Sequence, residues 1–134
     1  MKRVFLAAAL TVATLPAAHA AGCDDAQDQA TMTECAAKSL KASDAELNKL
    51  YKEIRGRLAD DADTRKLLVS AQRAWIAYRD AECNFSASGV AGGSIYPMMQ
   101  AMCLDTLTQR RVEDFKQYLN CEEGDLSCPV PPGG

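Results

Sequence analysis

The chain has 134 residues, with 15 Lys and Arg against 18 Asp and Glu for a net charge of −3, and 48% of its residues are apolar. That length suits one domain with a modest core and not two. The acidic balance disfavours nucleic acid and anionic membranes as partners and suits a cationic one, and six cysteines beside a single histidine, His19, leave little room for imidazole chemistry.

Residues 1–20 read as a secretory signal. Lys2 and Arg3 form a basic start, Val4 to Leu15 an apolar stretch, and Ala18-His19-Ala20 a small-x-small cleavage site. The apolar stretch is too short to span a bilayer, and no later segment is apolar enough. The expectation is an exported protein, periplasmic or secreted, with no transmembrane segment. Cleavage would remove the only histidine and two basic side chains, leaving 13 basic against 18 acidic groups and a net charge of −5. A competing reading takes Ala20-Ala21-Gly22-Cys23 as a lipoprotein site with an acylated Cys23. Against it, alanine stands where leucine is usual three residues before the cysteine, and acylation would leave five cysteines, an odd number for an oxidising compartment.

Cys23, Cys35, Cys83, Cys103, Cys121 and Cys128 in a small exported chain are best read as a framework of three disulfides. Six cysteines allow fifteen connectivities. Pairing between sequence neighbours suggests Cys23 with Cys35, Cys83 with Cys103 and Cys121 with Cys128. A metal site needs reduced thiolates in close pairs, which neither the compartment nor the spacings offer; no metal and no cofactor is expected.

Between the cysteines the pattern is helical. Thr31-Met32-Thr33-Glu34 has capping-box spacing. After it Cys35, Leu40, Leu47, Leu50, Tyr51, Ile54 and Leu58 recur every three or four residues, which predicts a helix over 32–59. Ser43-Asp44-Ala45-Glu46 is a second plausible cap that would interrupt it. The run Asp60-Asp61-Ala62-Asp63 fits a turn and places negative charge at the next helix N-terminus. A second helix is predicted over 64–85, with Leu67, Leu68, Ala71, Trp75, Tyr78 and Glu82 on or beside one face.

From Ser86 to Ser94 the composition turns to Ser, Gly, Ala and Val, and Gly89, Gly92 and Gly93 break the periodicity. This is a loop. Pro97 suits the first turn of a third helix reaching residue 119. From Asn120 the chain reads as a tail, disordered past Cys128. The fold expected is all-α: a small antiparallel three-helix bundle stapled by disulfides, with a Gly-rich loop between the second and third helices. The division is a signal peptide over 1–20, a helical domain over 21–120 and a Cys/Pro/Gly-rich tail over 121–134. A Cys83–Cys103 bridge would close the glycine loop at its stems and contribute on the order of 3 kcal/mol through the unfolded state.

Polar residues fall where the helical pattern calls for apolar ones. Asp44 and Asn48 share a face with Leu47 and Tyr51; Gln72 and Arg79 share one with Trp75 and Cys83; Thr108 and Arg111 do the same on the third helix. Paired with one another they would make a half-buried network that fixes helix register. The sharper reading is a ligand groove lined by Trp75, Tyr78, Arg79 and Arg111.

The order Asp44-x-x-Leu47-Asn48-x-x-Tyr51, then Gln72-x-x-Trp75-x-x-Tyr78-Arg79-Asp80-x-x-Cys83, then Gly92-Gly93-Ser94, then Cys103-x-x-x-x-Thr108-x-x-Arg111 resembles the LprI-type lysozyme-inhibitor family over about Cys23 to Phe115. The resemblance implies a small exported helical domain with Cys35, Cys83 and Cys103 among its cysteines, and an inhibitory contact with lysozyme. Cys121 and Cys128 lie outside the shared pattern.

Such an inhibitor agrees with the residues. Lysozyme is cationic and works with two carboxylates in a cleft, and an acidic, disulfide-stapled protein with a protruding loop suits it. The loop Ser86 to Tyr96 is the expected contact, with Ser88, Ser94 and Tyr96 as polar groups and Gly92 and Gly93 permitting close approach. Asp60, Asp61 and Asp63 form a second candidate surface. Catalysis is not expected: without histidine, and with Asp80 and Glu82 pointing apart on a helix, the usual acid, base and nucleophile sets are missing. The alternative to an inhibitor is a binding or adaptor module for another envelope protein. The oligomeric state stays open.

Overall fold

A computed structural model describes residues 23–133, and the secretory-signal reading of residues 1–20 lies outside them. Among the described residues there are three α-helices and no strand: α1 (Gln29–Arg57), α2 (Ala62–Ser86) and α3 (Tyr96–Leu119), with 3₁₀ turns at Cys23–Asp25 and Ser88–Val90. None of these helices is long and apolar enough to cross a membrane.

α1 starts three residues earlier than its periodicity predicts. Asp28, not Thr31, is the N-cap, because its carboxylate accepts from the Thr31 amide at 2.9 Å and from the Thr31 hydroxyl at 2.6 Å. The alternative of an interruption at Ser43 does not occur, and α1 runs through it as the one long helix that the spacing predicts. Asp61 caps α2 by accepting from the Thr64 amide at 3.0 Å. Pro97 stands in the first turn of α3, where its missing N–H costs nothing.

Cross-links fix the directions. Ser43 meets Asp105, and Arg57 donates to the Leu119 carbonyl at 2.9 Å, both 62 residues apart, so α1 and α3 run side by side in the same direction. From Gln72–Arg111 to Arg79–Thr108 to Cys83–Cys103 the separation shrinks from 39 to 29 to 20, so α2 runs against α3. The core lies mainly between α1 and α3: Leu47, Leu50, Ile54 and Leu58 pack with Val112 and Phe115. The Phe115 ring stacks against Tyr51 at 6.2 Å and meets Tyr118 at 6.3 Å. α2 adds only Leu68 and Trp75, both half-buried, and the residues it buries fully are Gln72 and Cys83.

The bridges are Cys23–Cys35, Cys83–Cys103 and Cys121–Cys128, with Cα separations of 5.6, 5.5 and 5.9 Å. A thioether-acylated Cys23 has no sulfur left for its bridge to Cys35. The tail departs from the disorder expected past Cys128. The last bridge turns the chain back, Val130 enters the core at 3% exposure, and Gly133 lies against the Arg57 guanidinium. Burying a valine between Leu58 and Tyr118 supplies an apolar contact that composition alone does not reveal.

Candidate functional site

Two features stand out: a polar layer through the middle of the bundle and the closed loop at one end. In the layer, Arg79 of α2 is nearly enclosed. Its Nη1 donates to Asp44 of α1 at 3.1 Å and to the fully buried Thr108 hydroxyl of α3 at 3.2 Å, while its Nε donates to Asp80 at 3.0 Å. Arg111 donates from Nε to Gln72 Oε1 at 3.2 Å and from Nη1 to Asp114 at 3.4 Å. Trp75 lies between the two guanidinium groups, 5.2 Å from Arg79 and 5.9 Å from Arg111, and Arg111 also covers Phe115 at 4.6 Å. With side-chain exposures of 15% and 12%, both arginines are largely covered, each reaching one buried acceptor, Thr108 or Gln72, and carboxylates nearer the surface. Buried donors of this kind must be paired, and here they link all three helices.

The four residues of the suggested groove therefore do not line one opening. Trp75, Arg79 and Arg111 form the layer, whereas Tyr78 points outward and borders a shallow recess with Met99, Met102 and Leu107. Asn48 is also corrected: it is exposed, because α1 presents Leu47, Leu50 and Ile54 inward and residue 48 falls outside that arc. Asp44 and Tyr51 are half-buried and face the other helices, Asp44 through Arg79 and Tyr51 through Phe115.

A second polar cluster was not singled out from the sequence. Asp105 of α3, buried, accepts from the hydroxyl of Ser39 at 2.6 Å, from the hydroxyl of Ser43 and from the Gln109 amide at 2.9 Å. Burial by itself would push this carboxyl up; the Ser39, Ser43 and Gln109 hydrogen bonds together outweigh it and hold the group below the ordinary aspartate value. A signal for it existed: Asp105, Thr108, Val112 and Phe115 follow core spacing.

The loop is a compact chain of turns. α2 runs on through Ser86, and successive bonds Ala87 N–H to Cys83, Val90 to Ala87, Ala91 to Ser88 and Gly93 to Val90 carry the chain around. Gly92 has φ +78°, a conformation that L side chains rarely adopt, and a Cβ on Gly93 would meet the Val90 carbonyl at 3.2 Å. Both glycines are thus used by the turn itself. Ser88 and Ser94 are exposed, whereas Tyr96 is half-buried: Gln100 donates to its hydroxyl at 3.0 Å and to Asn84 Oδ1 at 2.7 Å, pinning the start of α3 to the end of α2. Buried Ala87 and the Cys83–Cys103 bridge anchor the stems.

Charge is distributed unevenly around this loop. Residues 23–37 and 80–109 contain Asp24, Asp25, Asp28, Glu34, Asp80, Glu82 and Asp105, and no Lys or Arg. The α1–α3 register sets the first turns of α1 level with the start of α3, and the Cys23–Cys35 bridge holds Asp24 and Asp25 against those turns. The bundle end that carries the loop is therefore acidic, with Asp24, Asp25 and Glu34 exposed. Asp60, Asp61 and Asp63 lie at the opposite end, in the α1–α2 turn, interleaved with Arg57, Arg65 and Lys66. Among the described residues no group of three or more His, Cys, Asp or Glu side chains is placed to hold a metal ion.

The sequence model of a family described as "Lysozyme inhibitor LprI" matches residues 22–115, which takes in α1, α2, the loop and most of α3 and leaves out the Cys121–Cys128 tail. A protein of Rhizobium meliloti (strain 1021), described as "Uncharacterized protein R02472", is 36% identical over 112 residues, covering 75% of this chain and 81% of that one. No solved structure matches.

Proposed function

The chain belongs to the LprI lysozyme-inhibitor family, and from that premise we propose that it is an exported, non-catalytic protein that binds lysozyme and blocks its glycan cleft through the loop end of the bundle. The observation that carries the reading is the charge distribution: the end bearing Ser88 and Ser94 has Asp24, Asp25 and Glu34 around it and no cationic side chain in the segments that build it. A cationic enzyme is steered toward such a surface, and steering raises the association rate most at low salt. The turns present Ser88, Gly92, Gly93 and Ser94 on a rigid frame, so little ordering entropy is lost when a cleft closes around them. Tyr96 serves this reading as the strut that holds the loop rather than as a free contact. The polar layer of Asp44, Gln72, Trp75, Arg79 and Arg111 serves it by fixing the helices that carry the frame.

The test is titration of the purified, oxidised protein against lysozyme acting on cell-wall substrate, with a reduced sample alongside. Inhibition that is lost on reduction and weakens steeply with salt supports the reading. A folded, fully disulfide-bonded sample that leaves lysozyme untouched sinks it, and turns the search to another envelope partner.

A further inference from the structure

α2 makes unusual use of its apolar residues. It buries polar Gln72 and leaves Leu67, Tyr78 and Phe85 exposed at 70%, 56% and 75%. These three belong to one line. Leu67, Ala71, Ala74, Tyr78, Ala81 and Phe85 are all exposed and follow 4-3-4-3-4 spacing, the seam of a two-helix coil about 27 Å long. No charged residue interrupts it; one flank, Ser70, Ala77 and Asn84, is uncharged, and at the other edge Glu82 and Arg110, of opposite sign, border the recess beside Tyr78. Met99 and Met102 of α3, exposed at 41% and 51%, extend the apolar surface beside Tyr78.

We propose that this face is a self-association surface on which a second copy of the chain docks its own α2 antiparallel, about a two-fold axis at residue 76. Any seam with this spacing has a midpoint; the side chains supply the fit. Tyr78 comes opposite Ala74 of the second copy and Ala71 opposite Ala81, so a large group meets a small one or two small ones meet, and the helices approach closely. At the ends Phe85 comes opposite Leu67. Leu67 and Ala71 border an apolar recess of about 200 Å3 with Ile54, Leu58, Tyr118 and Val130, which receives the phenyl ring. The lack of net charge decides the occupant: a cationic enzyme finds its complement at the acidic loop end, whereas an uncharged line edged by Glu82 and Arg110, one charge of each sign, complements itself. In the antiparallel pair the two loops lie at opposite ends, which makes the dimer bivalent.

Sedimentation equilibrium of the oxidised protein over a wide concentration range tests the proposal, with a dimer dissociation constant on the order of 10 µM expected for one helix pair. Ala71→Glu and Ala81→Lys, both at exposed positions, should each weaken the dimer about tenfold or more by leaving unpaired charge in the seam, with helix content by circular dichroism unchanged. The double variant should regain the dimer, because only the antiparallel register sets the two new charges against each other across the axis. A protein that stays monomeric at every concentration overturns the proposal, as do a dimer indifferent to both single substitutions and a double variant that fails to recover. Loss of lysozyme inhibition in Tyr78→Glu with no dimer in the parent protein would assign the stripe to the enzyme instead.

Discussion

Arg79 Nη1 stands 3.1 Å from the Asp44 carboxylate, joining α1 and α2 across 35 residues of sequence where the two helices share little apolar contact. The same nitrogen reaches Thr108, which has no exposed surface. The two partners should respond unequally to mutation. Arg79→Met strands the buried Thr108 hydroxyl and removes the cation from Trp75, and Arg79→Lys loses the planar fork that serves three acceptors; each should cost about 1–3 kcal/mol by urea unfolding. Asp44→Asn, at a side chain 42% exposed, should cost less than about 1 kcal/mol.

Asp105 predicts the direction of an acid effect. Its native pKa is lowered, so the stability it contributes is complete above the ordinary aspartate value of 3.8 and is lost as pH falls below that through the native value. Asp105→Asn should cost about 1–3 kcal/mol at pH 7. The gap between wild type and variant should narrow as unfolding is measured from pH 5 down to pH 2. A gap that stays constant across that range would mean that the charge of Asp105 is not what Ser39 and Ser43 stabilise.

Glycines in the loop should separate by conformation. Gly92→Ala forces a Cβ into φ +78° and should cost about 1 kcal/mol, whereas Gly89→Ala, with open space around it and no positive φ, should stay within about 0.5 kcal/mol. Thermal unfolding of the two variants side by side reads the difference.

The tail should matter to stability although it lies outside the family match. Val130→Ala removes two methyl groups packed against the core and should cost about 1–2 kcal/mol. Truncation after Cys128 should cost at least as much and leave the helical signal in place.

The acidic loop end and the far end, where Asp60 and Asp63 lie among basic residues, give different expectations for lysozyme binding. Neutralising Asp24, Asp25 and Glu34 should weaken inhibition by about 1.5- to 5-fold per charge, most clearly at low salt. Asp60→Asn and Asp63→Asn at the far end should leave it unchanged. The reverse result would move the binding surface to the α1–α2 turn.

Much of the architecture is legible in local pattern, and the misses share a cause. Leu47, Leu50, Ile54 and Leu58 announce α1 because period 3.6 is written into their spacing, and neighbouring cysteines indicate the three bridges because short loops close most readily. The start of α1 was misplaced because Asp28 and Thr31 both carry cap-competent oxygens, and only the backbone geometry shows which one accepts. Asn48 and Tyr78 were misplaced because spacing gives relative angles around a helix, not the direction of the neighbours. The spacing of Asp105 does not by itself reveal its cluster, because two of its three donors, Ser43 and Ser39, lie 62 and 66 residues away.

The sequence by itself determined that this protein is helical, disulfide-stapled and acidic, and that a glycine turn separates its last two helices, since each of these properties is set by residues close together along the chain. Tertiary structure decided which polar residues meet, that Val130 belongs to the core, that the acidic segments gather at the loop end, and that α2 turns Leu67, Tyr78 and Phe85 away from the interior. Those outcomes depend on how three helices are rotated and paired, and that is settled by competition among contacts distant in sequence, which no local pattern encodes.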